Sequence, residues 1–154
     1  IAALDLELKR RIGRAAYVWP ILKATFRKPR TFEVNVDGEV HTASWLVVAK
    51  ASRYAGSFLI TRGASVRKAE LFAVLFQATS RFGRILEMIA LGLGLHHRLP
   101  GVKVLSCRIV SVSEPGHAVQ IDGDEDGETP VTVELGGGNL RMIVPARGNG
   151  SDAA

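Results

Sequence analysis

The chain has 154 residues, 47% apolar and 23% charged, with 20 Lys or Arg against 15 Asp or Glu and a formal net charge of +5. That balance supplies a core for one ordinary domain and excludes a wholly disordered chain. The single cysteine, Cys107, excludes an internal disulfide framework, and the longest apolar run, 85–95, is too short to cross a bilayer.

Charge is unevenly placed. Residues 1–30 hold eight basic and two acidic side chains, residues 50–113 hold ten and two, and residues 114–134 hold seven acids and no Lys or Arg. A basic body with one acidic stretch fits an anionic partner such as a phosphate, a lipid headgroup or a nucleic acid, and it also fits a solvated surface of mixed charge. The chain opens on Ile1 rather than Met, which leads us to expect more chain upstream.

In chain order, "LDLELKRRIGRAAYVWPILKATF" (4–26) reads as a helix, with Leu4, Leu8, Ile12, Ala15, Ala16 and Trp19 at three- and four-residue steps and a kink or division at Pro20. Alternation of Phe32, Val34 and Val36, the pair Asp37-Gly38, then Val40 and Ala43 predict a hairpin with a type I′ turn. "WLVVA" (45–49) is apolar on both faces, which predicts a central strand. Strands are expected at 58–61 and 70–77. A second helix is expected over 80–98, capped by Ser80, with Phe82, Ile85, Leu86, Ile89 and Leu93 on one face. That face suits packing on a sheet or contact with a membrane surface. Pro100-Gly101 breaks the chain, and strands at 102–113, 117–122, 130–135 and 140–144 follow. Cys107 reads as a small buried hydrophobe inside the first of these. His96-His97 falls at the helix end, where the dipole favours imidazolium, and no second ligand cluster supports a metal role for the pair. Some seven strands, two helices and no βαβ alternation predict a mainly β, α+β fold: an antiparallel β-sandwich or barrel with helices packed against it, one domain without internal repeats. Residues 146–154 have the composition of a flexible tail.

The stretch "VQIDGDEDGETPVTV" (119–133) is the chemically loaded part. Asp122, Asp124, Asp126 and Gly127 match the early positions of a calcium-binding helix–loop–helix, but the twelfth position is Val133, which has no side-chain oxygen. The flanks are strand-like, so calcium is set aside. Asp122-Gly123 and Asp126-Gly127 are both good turn pairs. Five acids in seven residues repel one another, which fits a cation or basic surface opposite, and a carboxylate placed there could serve as a general base.

"LKRRIGRAAY" (8–17), "VVAKASRYAGSFLITRGAS" (47–65), "VQIDGD" (119–124) with "TPVTVEL" (129–135), and "LRMIVP" (140–145) together, in this order, resemble the C-terminal domain of bacterial diacylglycerol-kinase-like lipid kinases, relatives of sphingosine kinases and more distantly of NAD kinases. The resemblance spans about residues 1–145. It implies a C-terminal β-sandwich domain whose partner, an N-terminal nucleotide-binding domain with a Gly-Gly-Asp-Gly motif, is absent from this sequence; "GGG" (136–138) reads as a turn. It further implies ATP and Mg2+ as requirements of the full-length protein with none bound to this part, a diacylglycerol-like lipid substrate at the membrane surface, and a cytoplasmic, peripherally membrane-associated location. A homodimer is compatible with it. By the resemblance Asp124 stands where the family has its proposed base, a Glu, one methylene longer. Asp122 and Gly123 form the supporting turn, and Lys50, Arg53, Tyr54 and Gly56 face the substrate and phosphate cleft. Three positions depart from the family: Lys50 replaces an Asn, Arg62 a Pro, and "RKA" (67–69) puts Lys68 where a metal-supporting carboxylate is expected. No metal ligand is therefore assigned, and an ammonium in place of the metal's charge is the favoured reading. The alternatives are a non-catalytic or regulatory kinase-like β domain that binds anionic lipid, and a nucleic-acid binder. The latter lacks aromatic stacking platforms, so no specific nucleic acid is expected.

Overall fold

Asp37 and Gly38 have φ of 50° and 93°, the left-handed values a two-residue hairpin turn requires, and they join β1 (Phe32–Val36) to β2 (Glu39–Ala43) with Val36 opposite Glu39. The structure, a computed structural model, describes residues 29–54, 58–122 and 124–138. The expected first helix, the strand at 140–144, the tail, Gly56 and Gly123 lie outside them.

The strands after β2 are β3 (Trp45–Ala49), β4 (Arg53–Tyr54), β5 (Phe58–Leu59), β6 (Leu71–Phe76), β7 (Val102–Cys107), β8 (Ile109–Val112), β9 (Ala118–Ile121), β10 (Asp124–Glu128) and β11 (Val131–Glu134). All pairings are antiparallel. One sheet has the order β11-β8-β1-β2, a second has β3-β6-β7, and β4-β5 and β9-β10 form two-stranded ribbons. Alternate residues of the two larger sheets meet: Val34, Val36, Ala43, Val110 and Val112 from one, with Leu71, Ala73, Leu75 and Cys107 from the other. This is the core of a β-sandwich. Burial raises the Cys107 thiol pKa, in keeping with a packing role for this side chain.

Two chain segments pass from one sheet to the other. Between β2 and β3 the bend is at Ser44, whose N–H and hydroxyl both donate to the Phe76 carbonyl (2.7 and 3.1 Å), while its own carbonyl accepts from Arg84 Nη2 at 2.9 Å. Between β7 and β8 the bend is at Arg108. There the Asp37 carboxylate accepts from the backbone N–H groups of Arg108 (3.0 and 3.1 Å) and Ile109 (2.8 Å). The strand expected at 102–113 is thus two strands in two sheets, because alternation continues through the bend and gives no sign of it.

The single helix among the described residues, α1 (Arg81–Gly92), lies on the outer face of the three-stranded sheet. Ser80 caps it by accepting from Gly83 N–H at 3.0 Å. It ends short of the expected 98. Gly94 turns left-handed at φ 68°, Leu95 N–H reaches the Ala90 carbonyl and Gly94 N–H the Leu91 carbonyl, a Schellman closure, and a 3-10 turn follows at His96–Arg98. The side turned inward carries Ala90, Leu91 and, unexpectedly, Glu87. Glu87 accepts from the backbone N–H groups of Gln77 (3.1 Å) and Ala78 (2.9 Å) and from Trp45 Nε1 (3.4 Å), and burial raises its carboxyl pKa. The stripe expected to pack on the sheet is instead solvent-facing: Phe82 is 77% exposed and Leu93 68%, with Ile85, Leu86 and Ile89 also exposed. β3 is an edge strand rather than a central one. Its two apolar faces arise because Leu46 and Val48 point into the sandwich and Trp45, Val47 and Ala49 toward the helix layer, where Trp45 stacks on Phe76 at 3.9 Å.

Candidate functional site

The acidic stretch is a strand, not a loop. Asp122 (φ 53°) sits at the turn between β9 and β10, and Asp124 pairs back onto Ile121. Asp126-Gly127, the second turn pair, makes a bulge: between Glu125↔Gln120 and Glu128↔Ala118 the acidic strand carries one residue more than its partner, with Gly127 at φ 80°. β11 pairs with β8 rather than with β9. This ribbon is almost wholly exposed, which explains how acidic residues of low strand propensity line both of its faces. At its base Thr129 fixes the exit. Its N–H donates to the His117 carbonyl at 2.8 Å, and its hydroxyl accepts from His117 N–H and donates to the Glu114 carbonyl. A tight hairpin cannot wrap an ion as a twelve-residue loop does.

Asp122 and Asp124 therefore stand at the far end of a projecting ribbon, and the Asp124 carboxylate has no hydrogen bond or ion pair among the described residues. The remaining candidates lie elsewhere, at the end of β3 and on the β4-β5 ribbon. Arg53 is exposed and pairs through its backbone with Leu59, as Tyr54 does with Phe58. The ribbon is held down where Ile60 N–H donates to the Ser52 carbonyl and buried His96 Nε2 meets the Ile60 carbonyl at 2.7 Å. Burial lowers the pKa of the His96 imidazole, which favours the neutral ring with Nε2–H as donor.

Lys50 does not reach outward. Its Nζ donates to the backbone carbonyls of Lys68 and, at 3.0 Å, Glu70. Lys68, expected in the place of a metal-supporting carboxylate, is exposed and pairs at 3.3 Å with Glu70, whose other oxygen accepts from Ser106 Oγ at 2.8 Å. That hydrogen bond first, then Lys68 and Lys50, lower the Glu70 carboxyl pKa. Sequence reasoning passed over Glu70 and Glu87. The available signal was scarcity: they are the only acids between residues 50 and 113, against ten cations, and each is tied by hydrogen bonds to neighbouring strands and turns. Among the described residues no three or more His, Cys, Asp or Glu side chains gather in a metal-binding cluster.

The family described as YegS C-terminal NAD kinase beta sandwich-like domain matches residues 3–144. No curated protein sequence matches the chain. Three solved structures from Bacillus anthracis str. Sterne, each carrying the name diacylglycerol kinase, are similar to it with TM-scores of 0.57, 0.59 and 0.56 at 17%, 18% and 18% identity. They cover 77%, 86% and 84% of this chain, whereas the chain spans only 42%, 45% and 46% of theirs. At that identity the likeness shows the fold.

Proposed function

Because the chain belongs to the YegS C-terminal NAD kinase beta sandwich-like domain family, we propose that it is the lipid-binding and base-supplying half of an ATP-dependent lipid kinase. Asp124 is the base in this reading. Its carboxylate takes the proton from a lipid hydroxyl, the hydroxyl oxygen bonds to the γ-phosphorus of ATP, and the bond to ADP breaks. The observation that carries the reading is the ribbon geometry: the turn at Asp122 holds Asp124 outward and exposed, with no ion-pair partner among the described residues, where a second domain can close over it. ATP and its magnesium belong to that second domain, a nucleotide-binding one. In the same reading Arg53, exposed on the β4-β5 ribbon, is a candidate phosphate contact.

The exposed face of α1 supplies the route to the lipid. Phe82, Ile85, Leu86, Ile89 and Leu93 are bordered by Arg81 and Arg98, both exposed, while the helix's one acid, Glu87, is turned inward. An apolar stripe rimmed by cations fits an anionic bilayer surface. No helix among the described residues is long and apolar enough to span a membrane, so the contact in this reading is peripheral.

Labelled ATP and mixed micelles of diacylglycerol test the function in the intact protein and in this chain alone. The intact protein is expected to transfer phosphate and the isolated chain to transfer none. No transfer by the intact protein to diacylglycerol or to related lipid alcohols would leave a binding domain as the better account.

A further inference from the structure

The loop between β5 and β6 is built around a positive charge. Lys68 N–H donates to the Ser65 carbonyl at 3.1 Å and Arg67 N–H to Ser65 Oγ at 3.3 Å, closing a turn that presents the carbonyls of Lys68 and Glu70 to the end of β3. The β3–β6 register ends at Ala49↔Phe72, so Lys50 emerges beside this incoming strand, and its side chain carries an ammonium onto both oxygens. An ammonium is a compact point charge with three donors, able to serve two carbonyls that are not coplanar.

Two carbonyl oxygens with a carboxylate close by are the hard donors that magnesium or calcium takes. Here they do not fit such an ion. Both carbonyls are engaged by Lys50, and Glu70, the carboxylate in this loop, is held by Ser106 and Lys68. An incoming divalent cation would meet two ammonium groups and no free anionic ligand.

We infer that Lys50 is the resident cation of this loop: its ammonium occupies a seat of backbone oxygens in place of a metal ion, so residues 65–70 are ordered without any divalent cation. A free ion stabilises only as far as its concentration exceeds its dissociation constant, whereas a tethered ammonium is always present. The same commitment removes Lys50 from the groups available to a substrate phosphate.

Hydrogen exchange of the 65–70 amides, with the thermal midpoint, tests this in the 154-residue chain in EDTA and in millimolar Mg2+ or Ca2+. Wild type is expected to give the same exchange rates and midpoint in all three. Lys50→Ala is expected to exchange roughly tenfold faster across the loop in EDTA, the loss of about one hydrogen bond's worth of protection, and to slow again when either metal enters the vacated oxygens. Should that variant not fold, Lys50→Met, which keeps the side chain's length but neither donor nor charge, carries the same comparison. A wild-type response to EDTA or metal would overturn the inference, as would wild-type exchange in the variant or a variant loop that ignores both metals. None of these readings involves phosphoryl transfer, so the outcome is independent of the kinase proposal.

Discussion

Asp37 does two jobs with one side chain and one backbone conformation. Its positive φ makes the first hairpin turn, and its carboxylate ties the Arg108 bend, 71 residues later, to that turn. Asn shares the tolerance for left-handed φ and keeps one acceptor oxygen, whereas Ala has neither advantage. Asp37→Ala should therefore cost about 2 kcal/mol, the value of losing charge-assisted bonds to two backbone N–H groups. For a chain of this size that is a fall of roughly 4–8 °C in thermal midpoint, and Asp37→Asn should lose less than half as much. Equal losses in the two variants, measured by calorimetry, would contradict this, because Asn would then draw nothing from its remaining acceptor oxygen or its tolerance of the turn. Glu87 makes a similar point from the opposite direction. A carboxylate inside an apolar helix looks like a solvent marker, yet it accepts from Ala78 N–H and shares Gln77 N–H with the Gly101 carbonyl where β6 ends.

Among the elements, α1 is the one on which the proposed membrane contact rests. Its inward side is narrow, so the wide apolar stripe remains uncovered among the described residues. Phe82 and Leu93 are its most exposed members. Replacing both with Ser should lower partitioning onto phosphatidylglycerol vesicles by at least about tenfold, from the apolar burial lost, and added salt should weaken wild-type binding through the cationic rim. Unchanged partitioning of the double variant in a sedimentation assay would assign the stripe to some other contact. The elements also show what a sequence discloses. Hairpin 32–43, the Ser80 cap and the turn at Asp122 were readable because each has a local chemical requirement: positive φ, an N–H to accept, a two-residue reversal. The bends at Ser44 and Arg108 were hidden because a strand that changes sheets keeps its alternation. The acidic strand β10 was hidden because its residues are poor strand formers, and only pairing with β9 makes them one. The Lys50 contact was hidden for a third reason. It is set by register between strands 20 residues apart, and no local pattern encodes register.

At the scale of the whole molecule, the two sheets and the helix layer hold the proposed chemistry at their periphery, on ribbons rather than in a pocket. The Asp122–Asp124 ribbon and the Arg53–Tyr54 ribbon belong to separate sheets. In this reading neither forms a complete site alone, and a nucleotide-binding domain closing over the acidic ribbon completes it. The chain spans under half of the similar structures, which agrees with that division of labour. The measurement that tests it most directly is the steady-state rate of phosphoryl transfer to diacylglycerol by the intact protein carrying Asp124→Asn. A general base lost at this point should lower kcat by about 10²–10⁴-fold with little change in KM for ATP, and Asp124→Glu, which keeps the carboxylate, should restore a substantial part of the rate. A kcat for Asp124→Asn equal to wild type would contradict the account, because the exposed carboxylate on the ribbon would then have no part in the chemistry.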